Sequence, residues 1–234
     1  MNYGILSHSE ARAFFKKEIN SQKLCNECRS ARSEFRLKDQ KYNSSYSNLL
    51  PGFSSSKVKI PIDVLVIAEA HGGGREKCFR KQLSLEKEVT EIGNYYRSDS
   101  IEKFHQYEMR KLFKRLDQKG KSWIFADLIR CFVWQGIDIA ANLDGRINVQ
   151  KAIGYCRKYL DKEIAFLKPK KIICLGNKVA RDYFGIDERM IHGMEYKYNS
   201  KNTESVVIRS YFPSRNTADI WVTVGGWKEI LAKI

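Results

Sequence analysis

The stretch NVQKAIGYCRKYLDKEIAFLKPKKIICLG, residues 148–176, sets two different periodicities side by side. Val149, Ile153, Cys156, Tyr159, Leu160, Ile164 and Leu167 recur at helical spacing, so residues 148–167 read as an amphipathic helix. Pro169 ends that pattern. Lys171 to Leu175 then forms a short apolar run that reads as a buried strand closed by Gly176. A helix delivering the chain into a fully apolar strand is the repeating half of a β-α-β unit.

The same alternation extends in both directions. Val64 to Ala68, Trp123 to Ile129 and Val206 to Tyr211 read as three more strands. Residues 8–20, with Ser9 as N-cap, read as a helix. Residues 84–118 carry a charged helical pattern interrupted near Gly93, and Lys178 to Phe184 reads as helix. A last helix spans about 217–233, with a break at Gly225-Gly226. Residues 38–56 read as loop. The expected fold is α/β: three layers, α/β/α, around a mostly parallel four-stranded central sheet. Ligands of such sheets sit at the carboxyl ends of the strands. The segments after Ala68, Leu128, Gly176 and Tyr211 are therefore the candidate site.

Composition narrows the partner. The 234 residues are 43% hydrophobic and carry a formal net charge of +15. The first figure allows one sizeable core, and the second favours a polyanion, nucleic acid above all. A basic surface kept only for solubility is the competing reading. Residues 1–20 are largely polar, so no secretion signal is expected, and no apolar run reaches the ~20 residues of a membrane span. A cytoplasmic monomer is expected. The glycine-rich turn lacks the G-x-G-x-x-G of a dinucleotide site.

Six cysteines in a cytoplasmic chain read as ligands or buried thiols rather than disulfides. Cys25 and Cys28 form C-x-x-C, Cys131 ends an apolar run, and Cys156 lies in the helix of residues 148–167. Four thiolates suit a [4Fe–4S] cluster or a zinc ion, which spacing alone does not separate. Cys174, inside a strand, reads as a core residue, and Cys78 as a spare ligand.

Five local patterns occur in one order. They are Cys25-x-x-Cys28, Ile67-Ala68-Glu69-Ala70-His71-Gly72, Phe125-Ala126-Asp127-Leu128-Ile129-Arg130-Cys131, Cys156 followed by Leu167–Gly176, and Tyr211-Phe212-Pro213-Ser214. Together, over residues 20–220, they resemble the uracil-DNA glycosylase superfamily, nearest its iron–sulfur (family four) branch. The resemblance implies one glycosylase-like domain over 1–234. Residues 1–60 would be an N-terminal cluster-binding segment and 75–120 a divergent helical insertion. It favours the cluster over zinc, held by Cys25, Cys28, Cys131 and Cys156, with no further small-molecule cofactor, no membrane and DNA as partner.

It also implies roles for the site. A glycosylase flips its target base into a pocket and breaks the N-glycosidic bond through a cationic sugar. Glu69 is the candidate carboxylate for the sugar and water, or else only a turn cap. His71, where the family has proline, is a catalytic or base-contacting candidate, or else a turn residue. Gly72 and Gly73, with Gly74, let backbone amides approach a phosphate or sugar closely, or else form only a flexible loop. Ala70, Phe79 and Phe212 are candidate base contacts, with Tyr95 and Tyr96 as other stacking rings. Ser214, Arg215 and Asn216 would lie on the DNA-contacting loop.

Two departures from the family pattern bear on substrate. Asp127 stands where the family has a base-reading asparagine. An ionised aspartate only accepts hydrogen bonds, as uracil O4 does, so Asp127 mismatches uracil and suits the N4 amino group of cytosine. Phe212 replaces the motif histidine and cannot donate to the departing base, which makes His71 or His192 candidate substitutes. The expected function is excision of a modified cytosine-type base, serving defence against phage with hypermodified DNA. The alternatives are a uracil-DNA repair glycosylase and a catalytically weak DNA-binding damage sensor.

Overall fold

The computed structural model describes residues 8–19, 53–55, 57–70, 104–129, 143–187, 189, 191–200, 203–213 and 217–234. Helix α1 (Ser9–Phe14) runs into a π-helical turn, Phe15–Ile19. Its cap is His8 rather than Ser9, since the His8 ring Nδ1 accepts the Ala11 amide at 3.3 Å. Strands β1 (Phe53–Ser54) and β2 (Val64–Ala70) precede α2 (Phe104–Gln118). Strand β3 (Trp123–Ile129), α3 (Leu143–Leu167) and β4 (Lys171–Leu175) follow. A π-helical turn (Val179–Tyr183) then leads to β5 (Glu195–Ser200) and β6 (Thr203–Ser210). The chain closes with α4 (Ala218–Thr223) and α5 (Trp227–Leu231), parted by a turn at Val224–Gly226 as the glycine pair anticipates.

The sheet runs β1-β3-β2-β4-β6-β5. Its four central strands are mutually parallel. Among the described residues the sheet has six strands rather than the expected four: β1 and β5 pair antiparallel on the two edges. Strand β5 (Glu-Tyr-Lys-Tyr-Asn-Ser) alternates exposed and half-buried positions, so it has no apolar run to betray it. Strand β1 is two residues long.

The order of connections sets the layers. The chain leaves β2 for β3 on one side, then crosses back over β2 to β4 on the other. Right-handed crossovers therefore put α2 and α3 on opposite faces. Phe113 of α2 stacks on Trp123 at 4.5 Å and meets Phe125 edge-on at 5.6 Å. On the same layer, Trp221 of α4 donates its indole N–H to Glu108 Oε2 of α2 (3.1 Å), and Trp227 of α5 donates to the Glu108 carbonyl (2.6 Å). On the other layer Phe14 stacks on Phe166 of α3 at 4.2 Å, and Tyr183 donates to Asp161 of α3 at 2.6 Å. The strands between the layers supply a fully buried core that includes Val64–Ile67, Ile124, Ile172, Ile173, Val207 and Ile208. No helix among the described residues is long and apolar enough to cross a membrane.

Candidate functional site

Strands β2 and β4 lie side by side, and the next described elements after them, α2 and the turn Val179–Tyr183, pack on opposite faces. A crevice opens at such a switch point. Glu69 is the penultimate residue of β2, with 29% of its side chain exposed. Lys178 begins the turn after β4, two residues beyond Gly176. Its Nζ donates to Glu69 Oε1 at 2.7 Å, linking the carboxyl ends of β2 and β4. Among the described residues Glu69 Oε2 makes no hydrogen bond. Gly176 makes the sharp exit from β4 at φ +87°, a region side chains rarely adopt, and a Cβ there would sit 3.7 Å from the Phe212 Cβ.

Asp127 lies one strand over, paired in register with Ala68. It is 1% exposed. Side chains alternate along a strand, so Asp127 shares the α2-facing side with Phe125, whereas Glu69, one residue past Ala68, points to the α3 side. The two carboxylates thus occupy neighbouring strand ends on opposite faces of the sheet. Reaching both requires a ligand seated over the edge of the sheet, and reaching Asp127 requires its cover to open.

The carboxyl end of β6 adds a residue that sequence reasoning missed. Arg209 is fully buried, paired in register with Cys174. Its guanidinium donates to Asn177 Oδ1 and to the Tyr196 hydroxyl (3.4 Å). It therefore braces the Asn177-Lys178 turn that presents Lys178 to Glu69. A lone arginine directly after the apolar run Val206-Val207-Ile208 was the visible signal. Cys174 is fully buried, and burial pushes its thiol well above the usual range, partly opposed by Arg209. It is a core residue, as its place in the strand suggests.

Phe212 is half-buried against Gly176, and the His105 ring lies 6.1 Å from it, centre to centre. His192 is tied elsewhere. The Tyr211 amide donates to its Nδ1 at 3.3 Å, and its Nε2 lies 2.8 Å from the Gly226 carbonyl. This pattern needs the neutral Nε2–H tautomer. His192 thus fastens β6 to the α4–α5 turn and is not a free donor for a base.

Burial holds the His192 pKa below its usual value, against the Gly226 carbonyl and Glu229, which raise it. On acidification the unfolded chain then takes up the proton before the folded one, so stability falls as pH drops through about 6.5. Denaturant unfolding at about pH 7.5 and about pH 5.5 should show the loss. His192→Phe should be less stable at the higher pH by about 1–3 kcal/mol, and its stability should change less between the two. Equal pH dependence in both proteins would rule the histidine out as the cause.

Of the expected metal ligands, Cys156 is fully buried on α3. Cys25, Cys28 and Cys131 lie outside the described residues, as do Cys78, His71, Gly72, Gly73, Gly74, Phe79, Tyr95, Tyr96, Ser214, Arg215 and Asn216. The backbone of Ala70 pairs with Ile129. Among the described residues no three His, Cys, Asp or Glu side chains group as a metal site. The sequence matches no protein-family model and no curated protein.

Proposed function

We propose that the chain is a DNA glycosylase of the uracil-DNA glycosylase type that removes a modified cytosine-type base. The observation that carries this is the Glu69–Lys178 pair at the switch point, one strand from the buried Asp127. Glu69 Oε2 accepts a proton from the water that attacks the sugar C1′, while the departing base keeps the electrons of the broken C–N bond. Lys178 holds the carboxylate in one orientation and places positive charge where a phosphate or the base anion accumulates negative charge. Asp127 reads the N4 amino group once the base has entered. A mark on the base separates target from host cytosine, and viral DNA is the natural source of such marks.

Four thiols, Cys25, Cys28, Cys131 and Cys156, are the donor set of a [4Fe–4S] cluster, with zinc as the alternative. Cys156 fits in being buried and on the helix that packs under the sheet. A cluster there would be structural, tying the N-terminal segment to α3. Iron and acid-labile sulfide in anaerobically purified protein, reduced in Cys156→Ala, is the expected result; zinc in their place would decide for the alternative.

Phe212, packed beside Gly176, favours a second reading: a damage sensor that binds and does not cut. One assay separates the readings. The protein is incubated with unmodified DNA, uracil-containing DNA and viral DNA bearing modified cytosine, and abasic sites are then cleaved with alkali. Breaks confined to the modified DNA are expected. Breaks confined to uracil DNA would return the chain to ordinary repair, and binding without breaks would make it a sensor.

A further inference from the structure

Helix α2 carries a second feature, remote from Glu69 and on the outer layer of the molecule. Lys111, Lys114 and Arg115, with Lys119 one residue past the helix end, recur at three- and four-residue spacing and line one side. That side forms one wall of a groove of about 910 Å³, and the turn of Gly225-Gly226 with α5, including Lys228, forms the other. The groove floor is tied together by polar contacts. The buried Glu108 carboxylate receives Lys111 at 2.8 Å and the Trp221 indole at 3.1 Å, and the Trp227 indole is tied to the Glu108 carbonyl. Lys119 keeps its charge but is tied to the last turn of α5, donating to the neutral Leu231 carbonyl at 2.6 Å.

Three cations remain. Among the described residues Lys114, Arg115 and Lys228 make no ion pair, and all three are exposed on the two walls. Among the described residues Glu108 is the one acidic residue lining the groove, and Lys111 pairs with it. A groove of about 910 Å³ with uncompensated positive charge on both walls is larger than a single compact anion fills and suits a polyanion.

We propose that the groove between α2 and α5 is a track for the phosphate backbone of DNA flanking the target base. The inference rests on DNA being the partner in the proposed function, but not on the chemistry at Glu69. Lys114, Arg115 and Lys228 each neutralise a phosphate, and the Glu108–Trp221–Trp227 cluster keeps the walls at a fixed separation.

The test uses the full chain and a duplex without any modified or uracil base, so base release plays no part. Affinity is measured as a function of salt. The triple variant Lys114→Ala/Arg115→Ala/Lys228→Ala should flatten the log–log salt slope by about 3, roughly 1 per lost phosphate contact. The wild type should then lose about 60-fold more affinity than the variant between about 50 and about 200 mM salt. A matched variant that removes Lys57, Lys168 and Lys197, exposed elsewhere, should keep the wild-type slope. All three substituted sites of the test variant are exposed, and its denaturation midpoint is checked beside the wild type. An unchanged slope in the triple variant overturns the track, as does an equal change in the matched variant. Loss of binding to phosphatidylserine vesicles with the DNA slope intact would also overturn it, in favour of a lipid surface. A flattened slope in a protein that releases no base from any DNA would uphold the groove while the glycosylase reading fails.

Discussion

Glu69→Gln is expected to slow release of the target base by about 10²–10⁴-fold with little change in DNA affinity. The glutamine amide keeps the size and planar shape of the carboxylate but can neither take a proton from water nor stabilise a cationic sugar. The partner supplies the control. Lys178 sits 2.7 Å from Oε1, so Lys178→Met removes the group that orients the carboxylate while leaving the base itself in place. That variant should lose less than Glu69→Gln, because the carboxylate is still present and only its orientation is freed. The double variant should be no slower than Glu69→Gln alone, since a positioning residue has nothing left to position. If both single variants instead keep the wild-type rate and lower the unfolding midpoint equally, the pair is a tie between β2 and the turn after β4 and nothing more.

The pair also shows how much of the site was legible in the sequence. Glu69 could be found from sequence because an apolar run ends there, and strand ends are where chemistry collects. Lys178 could not. It is 109 residues away, and it becomes a neighbour only because β4 docks beside β2. Local periodicity carries no information about which strands lie side by side. The same limit explains Arg209, a buried cation whose purpose appears only once Asn177 and Tyr196 surround it. It also explains His192. As a residue type it is a ready donor, yet two backbone groups on distant segments occupy both ring nitrogens.

The fold was legible to the extent that burial was continuous. Strands β2, β3, β4 and β6 are wrapped on both faces and read as apolar runs. The edge strand β5 keeps one face polar, Glu195, Lys197 and Asn199, and its only trace was the alternation with Tyr196 and Tyr198. Depth in the sheet, more than strand propensity, decided what could be read.

Asp127→Asn should reverse the base preference, and it is the most discriminating single change. Aspartate and asparagine have the same shape, so the backbone of β3 has no reason to move. What changes is the hydrogen-bonding code: two acceptors become one acceptor and one donor. A cytosine-type base then loses an acceptor for its N4 amino group, and uracil gains a donor for O4. Each change is worth about 1–3 kcal/mol, so the ratio of the two release rates should swing by on the order of 10²–10⁴-fold. Competing single-turnover reactions on matched oligonucleotides measure that ratio directly. The 1% exposure of Asp127 sharpens the outcome. A residue so deep can act on a base only if the pocket opens when DNA binds. If it does not open, the substitution merely removes a buried carboxylate: stability changes and the ratio stays where it was. A variant with altered stability and an unmoved ratio would therefore make Asp127 part of the core. The proposed substrate would then lose its main support, whereas the role of Glu69 would be untouched.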